Sequence, residues 1–139
     1  MARNKALFTA TDSTIGKELW ITDGTSTGTK LLKDIYPGFS SSNPSGFVSL
    51  ANGKVLFSAA ADGVDTGLEL WITDGTATGT KLVKDLYPGP SGSAPTNLTK
   101  LGNGKVIFSA ADGTSNGNLW VSDGTANGTV KFANIFGPS

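Results

Sequence analysis

The chain has 139 residues, which is room for one compact domain with a real core, or for part of a larger one. Lys plus Arg and Asp plus Glu balance at 11 each, so no net field draws in nucleic acid or an anionic membrane surface. With no cysteine and no histidine, a disulfide framework, a thiolate nucleophile and imidazole chemistry are excluded, and no cofactor is implied. The 19 Gly and 6 Pro, with many Ser and Thr, predict short strands punctuated by turns. No apolar run approaches the ~18–20 residues that span a bilayer. The opening MARNKALFTA has charges but no following apolar stretch, so no signal peptide is expected.

In chain order, Met1 to Phe8 aligns on Leu50 to Phe57, so the chain is expected to open at a turn that follows a missing strand. The first long motif is ELWITDGTSTGTKLLKDIYPG, Glu18 to Gly38. It returns almost letter for letter as ELWITDGTATGTKLVKDLYPG, Glu69 to Gly89, and more loosely as NLWVSDGTANGTVKFANIFGP, Asn118 to Pro138. Trp20, Trp71 and Trp120 are 51 and 49 apart, while each Trp lies 37 residues before the next Phe (Phe57, Phe108). Length variation is therefore confined between Phe and Trp, which marks a loop there.

The second unit shows the predicted elements whole. Strand A is Gly46 to Leu50, closed by the turn Ala51-Asn52-Gly53; strand B is Lys54 to Ala60. The variable B–C loop, ADGVDTG, leads to strand C, Leu68 to Thr73, and Asp74-Gly75-Thr76 turns into strand D, Thr80 to Tyr87. A long D–A link, PGPSGSAP, carries the chain to the next unit, and no segment has helical periodicity. Three short connections and one long one predict an antiparallel meander per unit, eleven strands in all. The pattern is that of an all-β β-propeller, with blades at 1–36, 37–87 and 88–139, the first lacking its innermost strand. A β-trefoil or β-prism, each closed as a monomer, is the competing fold. Strands B and C should be apolar on both faces, with Trp71 sharing its face with Glu69 and Thr73 in a partly wet outer zone.

ELWITDGT resembles the ELWxxDGT repeat, a tandem repeat common in large bacterial proteins. The likeness spans essentially the whole chain, with Asn118 and Ser122 as departures in the third copy. It implies propeller-like or other repeat architecture in surface or secreted parent proteins, and it brings no catalytic residue.

Three blades do not close a propeller, and an open arc leaves apolar flanks larger than a soluble monomer usually exposes. A homo-oligomer is therefore expected, a dimer giving six blades before a trimer giving nine. The tryptophans suit packing between repeats better than sugar stacking. Asp23, Asp74 and Asp123 suit turn chemistry better than calcium, because each turn offers a single acid. Asp62 and Asp65 form the one close acidic pair in a loop, with no counterpart in the other copies. Asp34 and Asp85, matched by Asn134, suit capping, and Lys33 and Lys84 suit protection of an edge strand. The two function classes are a non-catalytic self-assembling scaffold and a lectin-like propeller with one shallow site per repeat. For the latter, Tyr36, Phe39, Asn43, Asp65, Tyr87 and Asn116 would gather on the face of B–C loops and D–A links. No enzyme, metal, nucleic acid or membrane partner is expected.

Overall fold

The computed structural model describes residues 4–61, 67–87, 92–113 and 118–134. Among them are eleven strands and no helix: β1 (Ala6–Asp12), β2 (Gly16–Thr22), β3 (Lys30–Lys33), β4 (Ser45–Ser49), β5 (Val55–Ala60), β6 (Leu68–Thr73), β7 (Lys81–Lys84), β8 (Thr96–Lys100), β9 (Val106–Ala110), β10 (Asn118–Ser122) and β11 (Val130–Asn134). They form three antiparallel sheets, β1-β2-β3, β4-β5-β6-β7 and β8-β9-β10-β11, each pairing in sequence order. The chain is all-β, and every sheet is assembled from one repeat unit.

The register of the central pair is the same in each sheet. Phe8 faces Trp20, Phe57 faces Trp71 and Phe108 faces Trp120. The period of two in a strand then fixes both faces. One face carries Phe and Trp; the other carries Leu and Ile, or Val. The Leu face of the first sheet (Leu19, Ile21, Leu32, Ile35) packs on the Trp face of the second (Phe57, Ala59, Trp71). The Leu face of the second (Leu70, Ile72, Val83, Leu86) packs on the Trp face of the third (Phe108, Ala110, Trp120). The cores are these two seams, and the middle strand β5 is buried along its whole length.

Two expectations need correction. Strand D, expected over Thr80 to Tyr87, is shorter: β7 ends at Lys84 and β3 at Lys33. The outer pairing slips by one residue between Leu19 and Trp20, and again between Leu70 and Trp71. One pair beyond the bulge the ladder ends in these two sheets, and the amides of Ile35 and Leu86 find a side chain instead of a strand. The outer zone beside Trp71 is also dry: Glu69 is 2 % exposed and Thr73 is fully buried.

Candidate functional site: the seams between sheets

A buried glutamate needs a physical account, because an unsolvated carboxylate is expensive unless hydrogen-bonded. Glu18 Oε2 accepts from the backbone N–H of Ile35 at 2.8 Å and from Ser42 Oγ at 2.5 Å, while Oε1 accepts from Ser42 N at 3.0 Å. Glu69 repeats the arrangement with Leu86 N at 3.1 Å, Ser93 N at 2.9 Å and Ser93 Oγ at 2.7 Å. Burial pushes the Glu69 carboxyl up, and the bonds from Ser93 and Leu86 oppose that shift. The glutamate of the repeated motif thus pins the end of strand D and the D–A link against strand C.

Each serine also holds the next sheet. Ser42 O accepts from Ala60 N, and Ser93 O accepts from Ala111 N, both at 2.8 Å. The chain of bonds therefore runs from a carboxylate in one sheet, through one serine, to the backbone of the next. To reach over the glutamate, Asn43 and Ala94 take φ of 49°. A second tether crosses farther out. Lys33 Nζ donates to Thr80 O at 2.9 Å, and Lys84 Nζ donates to Thr129 O at 3.1 Å. These lysines were expected to guard an edge strand; they instead cross the seam, because the preceding bulge leaves them on the Leu face, opposite Leu19 and Leu70.

The Asp-Gly-Thr turns are closed local networks. Asp74 Oδ1 accepts from Thr76 N at 2.9 Å and Thr76 Oγ1 at 2.6 Å; Thr76 Oγ1 in turn accepts from Gly79 N at 3.0 Å. Asp23 with Thr25 and Asp123 with Thr125 do the same. These bonds hold all three carboxyls below the usual aspartate value. They also explain the second glycine of DGTxxGT, since a Cβ on Gly79 would lie 2.0 Å from Asp74 Oδ1. Among the described residues no three His, Cys, Asp or Glu side chains cluster as a metal site.

Trp71 and Trp120 lie in the seams, whereas Trp20 is only partly buried. Of the proposed ligand cluster, Phe39 stands out at 84 % exposure, and Asn43 serves the link through the hydrogen bond its backbone N–H donates to Lys17 O. Tyr36 is half-buried; Tyr87 lies over Gly113, 3.6 Å from where a Cβ would sit. Asp62, Asp65 and Asn116 lie outside the described residues.

Two equivalent clefts do open at the other end of the strands. One, of about 420 Å³, lies between Lys5, Ile21, Lys30 and Leu32 and the Gly75-Thr76 turn of the next sheet. The other, of about 320 Å³, lies between Lys54, Ile72, Lys81 and Val83 and the Gly124-Thr125 turn. Residue identities alone did not flag them, because each is made by two repeats. The Glu–Ser rivet did leave a signal: Ser42 and Ser93 both follow their glutamate by 24 residues. No protein-family model, no curated protein and no solved structure matches this chain.

Proposed function

We propose that the protein is a non-catalytic β-propeller module that acts as a structural scaffold, its activity being assembly with copies of itself. The observation carrying this reading is unequal burial of near-identical repeats. The central strand β5 of the middle sheet is buried on both faces, while Trp20 on the outward face of the first sheet and Leu119 and Val121 on the outward face of the third are only partly buried. Propeller geometry is supported by how the sheets fan out: between sheets, the main backbone approach is that of the innermost strands β4 and β8. A trefoil pairs strands between repeats, but here every sheet pairs within its own repeat. A prism leaves one face of each sheet to solvent, which does not suit the buried β5. The carboxylates that repeat are engaged in turn and seam hydrogen bonds, which favours a structural role over acid–base work. Sedimentation or light scattering tests the proposal: a particle of two or three times the 14.2 kDa chain mass is expected, and a monodisperse single-chain particle at micromolar concentration overturns it.

The two repeated clefts favour a second reading, a carbohydrate-binding propeller whose sites lie at the seams rather than among the D–A links. Each offers lysines and a threonine turn over an apolar floor. Saccharide titration with two equivalent sites per chain is its expected signature; silence across a broad glycan set removes it.

A further inference from the structure

We infer that the Phe8–Trp20 face of the first sheet and the Leu119–Val121–Phe132 face of the third are two halves of one more seam, closed between two copies of this chain in the head-to-tail sense of the internal seams. The inference rests on the assembly proposed above and deepens it by naming the surfaces and their polarity.

The halves correspond position by position. Leu119, Val121 and Phe132 occupy the places of Leu70, Ile72 and Val83 and of Leu19, Ile21 and Leu32. Leu32 and Val83 are 8 % and 9 % exposed under the next sheet, but Phe132 is 53 % exposed. On the other flank Phe8 and Trp20 occupy the places of Phe57 and Trp71, yet both are only partly buried. The polar rim agrees: Thr80 and Thr129 are fully buried beneath the lysines that cross to them, whereas Thr29, at the equivalent place, is exposed.

The third sheet's outer face is also not built to end in water. A repeat face turned to water normally carries polar residues. Here the exposed Lys30 and Lys81 positions are matched by Val130, itself 45 % exposed, so the face becomes more apolar. In both internal seams a Trp face meets a Leu face, and a partly uncovered Leu face and a partly uncovered Trp face are what the two flanks supply. Neither internal seam joins a Trp face to a Trp face or a Leu face to a Leu face. The occupant of each flank is therefore the opposite flank of a second copy.

One bond is missing from this seam. Ala133 pairs with Leu119 as Lys33 pairs with Leu19 and Lys84 with Leu70. No lysine there can reach the Thr29 carbonyl of the second copy, so the intermolecular seam is the weakest of the set.

The test uses two blocked chains, Trp20→Glu and Phe132→Glu, each with one flank spoiled. Each alone is expected to lose self-association by at least ~100-fold, the effect of a central hot-spot residue. Mixed, they retain one intact flank apiece and are expected to form a particle of two chains and no larger. Blocked chains that still associate as the parent does overturn the assignment, as does a mixture that stays single-chain although both variants melt cooperatively. If either variant fails to fold, Ala133→Lys decides: it is expected to tighten association roughly fivefold to tenfold by restoring the tether. No tightening overturns the assignment. A parent chain that is itself monomeric sinks the assembly reading, whereas an oligomer indifferent to these substitutions sinks only the seam.

Discussion

At the scale of single residues, the repeated letters are explained by hydrogen bonds that close locally. Asp74, its two bonds from Thr76 and the bare Gly79 beside it form one unit, and the same unit recurs at Asp23 and Asp123. Because the folded-state carboxyls lie below the usual 3.8, their contribution is complete above about pH 4 and is lost as pH falls through the folded values. Urea midpoints across pH 2–6 should therefore fall on the acid side, and Asp74→Asn should flatten that limb; an unchanged slope would contradict the account. Glu69 runs the other way. Its carboxyl is raised, so the protonated form folds without burying charge, and the cost grows as pH rises through the usual value of 4.5. Glu69→Gln offers one acceptor oxygen where Leu86 and Ser93 present three donors. It is expected to lose about 1–3 kcal/mol in equilibrium unfolding at neutral pH.

At the scale of elements, a strand here is defined as much by what crosses it as by its ladder. β3 and β7 end early where a buried glutamate takes up the following backbone amide, whereas β11, opposite Asn118, has the same bulge and runs one residue further, to Asn134. The same bulge sets Lys84 on the face from which it reaches Thr129. Lys84→Met keeps most of the stem's packing and removes the bond, so a loss of about 1 kcal/mol is expected by denaturation. A neutral result would return the lysine to the edge-guarding role that its place on an outer strand suggests. The link residue Ala94, left-handed where Asn43 stands in the earlier copy, shows that the serine rivet is held at some backbone strain.

At the scale of the whole molecule, two seams are built from one rule and applied to three sheets. Leu70, fully buried in the second seam, and Leu119, at the same place on the outer flank, differ only in what covers them. Leu70→Ala should cost about 2–5 kcal/mol at any protein concentration. Leu119→Ala should cost less in the isolated chain, with an effect that grows with concentration as the outer flank becomes covered. Melting curves over a hundredfold concentration range separate the two. Equal, concentration-independent losses would argue that the outer flank is already covered by the chain itself.

The sequence by itself determined the all-β class, the repeat and the eleven strands, because a period of two and glycine-bearing turns are local properties that neighbours cannot overwrite; the Phe–Trp register, set across a loop of variable length, came from the structure. It also pointed to the turn role of Asp23, Asp74 and Asp123, whose partners lie within a few residues. Only the tertiary structure decided that Glu18 and Glu69 are buried, that Ser42 and Ser93 join consecutive sheets, that Lys33 and Lys84 cross the seams, and that the clefts lie at the opposite end from Tyr36 and Phe39. Each of these depends on which face of one repeat meets which face of the next. Two near-identical sentences in a sequence leave that pairing unwritten, and burial and long-range hydrogen bonding supply it.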